Sequence, residues 1–173
     1  MRYEHSNIQY EFEGTDREKF IVDTRKLIDR NELSQEAPKK WEDDPHITVL
    51  FGLNSGVITD EMANIIETYP PFVCELGGLS LFTAEMTKKP FAVVKADVIS
   101  TDLHVLNRLL RDNCDYTETY PDYKPHVTVA YVQPGTHGRV DGHPVVKGMK
   151  FMVNQLTFSS HMGFKKNIML GIK

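Results

Sequence analysis

The sequence predicts an α+β fold, with two pseudo-symmetric lobes of antiparallel sheet, helices packed outside and a central cleft. Three observations predict it. Short strand-like stretches alternate with segments of helical spacing, and several strands follow one another with no helix between them. One strand motif, Pro-His-apolar-Thr-Val, occurs twice, about half a chain length apart. No low-complexity linker divides the 173 residues, so they suit a single bilobal domain spanning 1–173.

Residues 8–13 alternate apolar and polar, which puts Ile8, Tyr10 and Phe12 on one face of a strand. Gly14 ends it, and Thr15-Asp16-Arg17-Glu18 has the spacing of a capping box. The helix it opens runs to about Ile28, with Phe20, Thr24, Leu27 and Ile28 at helical spacing. Residues 29–44 are polar, carry the single tryptophan Trp41, and read as a loop before a strand over 46–52. Thr59 or Asp60 opens a second helix, with Met62, Ile65 and Ile66 inward, stopped by Pro70 and Pro71.

Residues 72–83, bent at Gly77-Gly78, and 91–98 read as strands. Ser100 or Thr101 caps a third helix containing Leu103, Leu106, Leu109 and Leu110. A polar segment, 112–125, leads into the strand 126–132, and the glycine-rich stretch 133–149 is the longest loop. Residues 151–159 and 164–172 close the chain as a hairpin turning at His161-Met162-Gly163.

Composition excludes several classes of function. The longest apolar runs, such as FAVV and IMLGI, fall far short of the roughly 20 residues that span a bilayer, so no membrane association is expected. The N-terminus is polar and acidic and lacks the apolar core of an export signal. With only Cys74 and Cys114, no disulfide framework is expected, and the expected location is a reducing cytoplasm. The formal net charge of −4 argues against a protein that lives on long DNA or RNA, which needs a basic surface to displace counterions. The lysine pairs at 39–40, 88–89 and 165–166 read as solvated surface.

The repeated words are DPHITVLFG at 44–52 and KPHVTVAY at 124–131. Because strand side chains alternate, His46 and Thr48 share one face while Ile47, Val49 and Phe51 take the other. The same split sets His126 and Thr128 against Val127, Val129 and Tyr131. If the lobes face each other, the cleft holds two imidazoles that titrate near neutral pH and two hydroxyl donors. Phosphodiester cleavage needs that set. One neutral histidine takes a proton from an attacking hydroxyl, the other as imidazolium protonates the leaving oxygen, and the hydroxyls hold the phosphate oxygens. Such chemistry requires no metal. His5, His104, His137, His143 and His161 form no ligand set with metal-site spacing, so neither metal nor cofactor is expected.

The pair HIT and HVT, each inside an apolar strand, resembles the two His-x-Thr/Ser signatures of the 2H phosphoesterase superfamily. The resemblance implies two sheet-and-helix lobes around a cleft, His46 and His126 as the acid/base pair, and Thr48 and Thr128 as the phosphate-holding hydroxyls. Which histidine is base and which acid stays open. Members of the superfamily include 2′–5′ RNA ligase-like enzymes, cyclic phosphodiesterases and RNA-processing exonucleases. In length, strand-then-helix opening and acidic charge, the chain is most similar to phage anti-CBASS phosphodiesterases. That resemblance implies cleavage of 3′–5′ linkages in cyclic di- and trinucleotide immune signals by attack of the substrate's own 2′-hydroxyl, in a host bacterial cytoplasm, for viral immune evasion. The alternatives are an esterase acting on RNA ends and, in another class, a nucleotide-sequestering protein without catalysis.

A nucleotide needs flat apolar surfaces for its bases. Tyr10 and Phe158 are the candidate base-stacking residues, with Trp41, Tyr120 and Tyr123, in loops before the motif strands, as competitors, and Phe12 as core. Lys124, two residues before His126, reads equally as a group that reaches a phosphate and as a solvated surface lysine. The expected partner is a cyclic oligonucleotide or short RNA, bound by a monomer or small homo-oligomer.

Overall fold

A computed structural model describes residues 4–173. The alternating N-terminal segment forms β1 (Ser6–Glu11), followed by helix α1 (Gly14–Arg25) and the first motif strand, β2 (His46–Leu53). Helix α2 (Asp60–Thr68), strand β3 (Phe72–Phe82) and the short helix α3 (Ala84–Thr87) come next. Then β4 (Ala92–Ile99), α4 (Thr101–Asn113) and the second motif strand β5 (His126–Val132) repeat the order of β1, α1 and β2. Three short strands, β6 (Lys150–Val153), β7 (Gln155–Ser159) and β8 (Lys165–Met169), complete the chain.

Thr59 and Ser100 cap α2 and α4 by accepting the Met62 and Leu103 amides. The capping box expected at Thr15 does not form. Gly14, at φ +56°, turns the chain directly from β1 into α1, so Thr15 already lies inside the first turn and no side chain caps it.

All eight strands of the described residues join one antiparallel sheet in the order β6-β3-β4-β5-β2-β1-β7-β8, curled into a half-barrel. The order is palindromic about the β5–β2 junction: β4 answers β1, β3 answers β7, and β6 answers β8. The lobes are therefore halves of one sheet, and they are not the two halves of the sequence. Residues 151–159, expected as one strand, break at Asn154; β6 pairs with β3 in one lobe and β7 with β1 in the other.

The helices pack on the outer face of the sheet. Leu103, Leu106 and Leu110 of α4 are fully buried in the core with Ile8, Ile47, Val127 and Phe158. The Asn107 amide of α4 donates to the Val49 carbonyl at 2.7 Å, which satisfies a buried polar group behind β2.

Both motif strands carry the same β-bulge. Gln9 faces Thr48 but Ile8 faces Leu50, leaving Val49 as the extra residue. On β5, Lys95 faces Thr128 but Val94 faces Ala130, leaving Val129 extra. The bulge shifts the alternation by one. His46, Thr48 and Phe51 are the part-exposed positions of β2, and His126, Thr128 and Tyr131 are those of β5. Strict alternation assigned Phe51 and Tyr131 to the core face; the bulges return both to the histidine face.

The motif strands touch through one register pair, Ile47 with Val127, and then part. The segment preceding each motif strand closes the edge of the other. Leu33 and Trp41 bridge to Val132 and Ala130 of β5, and Tyr116 bridges to Leu53 of β2. Gly52 is required at the second junction: at φ +97° a Cβ there would lie 2.3 Å from the Thr117 carbonyl oxygen.

Candidate active site

Each histidine is oriented by its own motif. Proline at the next position keeps Asp44 and Lys124 out of a helical conformation, and the carbonyls of both meet the rings two residues on. Nδ1 of His46 donates to the Asp44 carbonyl at 2.8 Å, and Nδ1 of His126 donates to the Lys124 carbonyl at 2.7 Å. A carbonyl only accepts, so Nδ1 carries hydrogen in both rings and Nε2 is the nitrogen left to exchange a proton. The proline carbonyls are anchored alike, Pro45 by the Phe12 amide and Pro125 by the Val98 amide, each at 3.1 Å.

The Ile47–Val127 pair sets the relation between the two motifs. One step either side of it, His46 comes opposite Thr128, and Thr48 opposite His126. The two imidazoles then stand on a diagonal, a separation on the order of 7–8 Å between backbones, which leaves room for a phosphate between the rings. The Thr48 and Thr128 hydroxyls have no hydrogen-bond partner among the described residues. The structure thus brings together the four residues singled out in the sequence.

A second, acidic row lies beside them. Glu11 faces His46 across β1–β2, and Asp97 faces His126 across β4–β5. Burial opposes ionisation of Glu11, but hydrogen bonds from Lys165 and Gln9 outweigh it and hold the carboxyl below its ordinary value. Asp97 is likewise held low against its burial, by Lys95 and Ser80.

The pseudo-symmetry breaks at the residue opposite each threonine. Gln9 faces Thr48, whereas Lys95 faces Thr128. Lys95 is only 6% exposed; its ammonium sits 2.7 Å from Asp97 and 4.4 Å from the centre of the Phe82 ring. Phe82 in turn meets the His126 ring edge-on at 5.0 Å. Burial pushes the His126 imidazole below its ordinary value, and the bond to the Lys124 carbonyl works against this. The Lys95 and His46 charges add to the lowering, while Asp97 opposes it.

Neither expected base-stacking residue stands on this face. Phe158 is 0% exposed and faces Ile8 across β1–β7, inside the core. Tyr10 faces Ile47 and stacks on Phe151 at 15°, so its ring is already covered, and burial pushes its hydroxyl up to about 12. Both sit at strand positions whose side chains turn away from the histidines. Of the competitors, Trp41 lies under the Arg25 guanidinium, and Tyr123 is turned inward to donate to the Thr48 carbonyl at 2.8 Å. Tyr120 is 70% exposed and meets Phe51 at 6.2 Å.

Glu11, Lys95, Asp97, Phe51 and Tyr131 border the four motif side chains without having been singled out in the sequence. A signal existed for three of them. Q-Y-E in β1 and K-A-D in β4 place charged or amide groups two apart inside otherwise apolar strands, as H-I-T and H-V-T do. Among the described residues no trio of histidine, cysteine or acidic side chains gathers as a metal site. No helix of the described residues is long and apolar enough to cross a membrane.

A family model described as the 2′-5′ RNA ligase superfamily matches residues 17–161. No curated protein matches the chain. Among solved structures, TT0787 of Thermus thermophilus superposes with a TM-score of 0.68 at 17% identity, covering 98% of this chain and 100% of that one. Escherichia coli LigT complexed with 3′-AMP gives 0.60 at 14% identity, covering 96% and 95%. Kluyveromyces marxianus Usb1 with uridine monophosphate gives 0.61 at 9% identity, covering 96% and 99%. At these identities the superpositions establish the shared fold.

Proposed function

Because this chain belongs to the 2′-5′ RNA ligase superfamily, a family of two-histidine phosphodiesterases, we propose that it cleaves 3′–5′ linkages of cyclic di- and trinucleotide signals by paired acid/base catalysis. The observation that carries the acid/base reading is the meeting of two His-x-Thr faces about the Ile47–Val127 pair; the cyclic substrates rest on the resemblance in length, strand-then-helix opening and acidic charge. In the finer reading, the substrates are the cyclic nucleotide alarms of bacterial immunity, which a phage enzyme would destroy.

The chemistry assigns distinct work to each residue. His126, kept neutral by burial and by Lys95, takes the proton of the ribose 2′-hydroxyl at Nε2. The 2′-oxygen attacks phosphorus, and the bond from phosphorus to the 5′-oxygen breaks. His46, which faces Glu11 across β1–β2, gives a proton to the departing 5′-oxygen. Thr48 and Thr128 donate to the non-bridging oxygens as negative charge builds on them. The product is a 2′,3′-cyclic phosphate, and water can then open it to a 3′-phosphate with the two histidines exchanging roles.

A second reading, an esterase acting on RNA ends, draws support from the nucleotide complexes of LigT with 3′-AMP and Usb1 with uridine monophosphate. The deciding experiment incubates the protein, with EDTA present, against cyclic dinucleotides, cyclic trinucleotides and RNA termini, and resolves the products by chromatography. Ring opening of the cyclic substrates is expected. Cleavage of RNA termini alone moves the assignment to the second reading. Ligand protection with no product under any condition replaces catalysis with sequestration.

A further inference from the structure

We propose that Phe51 and Tyr131 are two base platforms on opposite sides of the scissile phosphate, so that the enzyme grips a nucleoside on each flank. This inference rests on the phosphodiesterase reading and narrows its substrate to a diester carrying a base on both sides, as against a terminal cyclic phosphate with one.

The argument begins with the bulges at Val49 and Val129, which bring Phe51 and Tyr131 onto the face of the histidines and threonines. Each ring lies three residues beyond a motif threonine. Because β2 and β5 run antiparallel, the two rings lie in opposite directions from the Ile47–Val127 centre. Four residues of strand place each at roughly 11–13 Å from that centre along the backbone. An aromatic side chain leaning inward then spans the remaining reach to a base whose phosphate lies between the histidines.

Both rings are part-exposed, and among the described residues neither is covered by a parallel ring as Tyr10 is. His5 and Tyr120 meet Phe51 at 81° and 62°, and Phe91 meets Tyr131 at 79°. The near-perpendicular neighbours brace the rings and leave the stacking position to a ligand.

The two walls differ, which gives the platforms different tasks. Tyr131 neighbours Val93, which neighbours Phe82, an apolar surface. Phe51 neighbours Asn7, which neighbours Ser159, a polar one. The polar wall can hydrogen-bond a base edge, and the apolar wall accepts any base by stacking.

The test compares two substrates that undergo the same step. One is a dinucleoside 3′,5′-monophosphate, and the other a nucleoside 3′-phosphate methyl ester, in which methanol replaces the second nucleoside as leaving group. The wild-type protein is expected to favour the dinucleotide in kcat/KM, mostly through KM. Phe51→Leu and Tyr131→Leu should each lower kcat/KM on the dinucleotide by roughly 5- to 150-fold, the range that loss of one base stack implies. Only one of the two substitutions should matter for the methyl ester, and it identifies the platform on the side of the attacking ribose. Equal kcat/KM for both substrates, or dinucleotide cleavage unchanged in both leucine variants, would overturn the platforms.

Equilibrium binding of the dinucleotide to the doubly substituted His46→Ala/His126→Ala protein separates this inference from the reading beneath it. Weaker binding when either leucine is added upholds the platforms even if wild-type turnover is absent. Unchanged binding rejects them even if turnover is robust.

Discussion

Ile47 of β2 faces Val127 of β5, and this one register pair is the point about which the two halves of the sheet repeat. Both side chains are fully buried on the outer face, packed in the core beneath the helices. Their neighbours on the inner face are the two histidines and two threonines. A hydrophobic contact on one side of the sheet thereby fixes the spacing of the polar groups on the other, because adjacent strand residues point to opposite faces.

His46→Ala and His126→Ala should each lower turnover by roughly a hundred- to ten-thousandfold, the worth of one positioned proton transfer. Both rings are part-exposed, so thermal melting should barely change. Product formation and circular dichroism on the same preparations check this, and undiminished turnover in either variant would remove that histidine from the mechanism.

Lys95→Met should move the acid limb of the pH–rate profile to higher pH. The lysine charge disfavours the imidazolium of His126, and its loss also frees the Asp97 carboxylate, which favours it. Both changes raise the pH at which His126 becomes a neutral base. Rates of kcat/KM measured across the acid limb for the two proteins give the answer; coincident limbs would show that Lys95 does not act on the base.

Thr48→Val and Thr128→Val preserve shape and remove one donor each. If the hydroxyls hold the charge that builds on the phosphate, kcat should fall by roughly 10²–10³-fold with KM little affected. The pseudo-symmetry predicts losses of similar size. A change confined to KM would instead make the threonines simple binding groups.

Phe158→Ala should destabilise the fold by about 3–5 kcal/mol, the cost of truncating a buried aromatic. Its ring is fully buried against Ile8 and the rest of the core, away from the inner face. Chemical denaturation measures the loss, and activity per folded molecule should be unchanged. Selective loss of substrate affinity at unaltered stability would return Phe158 to the binding surface.

Much of the site was legible because it is local. The proline, the histidine and the threonine two residues on sit within one strand segment, and alternation alone puts the ring and hydroxyl on one face. The preceding carbonyl that fixes the Nδ1 proton is also a neighbour in sequence. Tyr10 and Phe158 turn away from the histidine face, which the sequence did not reveal because aromatic character does not say which face of a strand is buried. That depends on register with β2 and β7, formed by residues far away in the chain.

By itself, the sequence determined the α+β class, the caps of α2 and α4 to within one residue, the duplicated motif and the identity of the four polar residues at the cleft. Tertiary structure alone decided that the lobes are halves of one sheet, that β7 and β8 return to the N-terminal lobe, and that Lys95 breaks the symmetry beside His126. It also decided the bulges at Val49 and Val129, and with them the placement of Phe51 and Tyr131. The physical reason is that a bulge exists only relative to a partner strand. One extra residue in a pairing leaves no mark on the hydrophobic pattern, yet it reverses the face of every side chain beyond it.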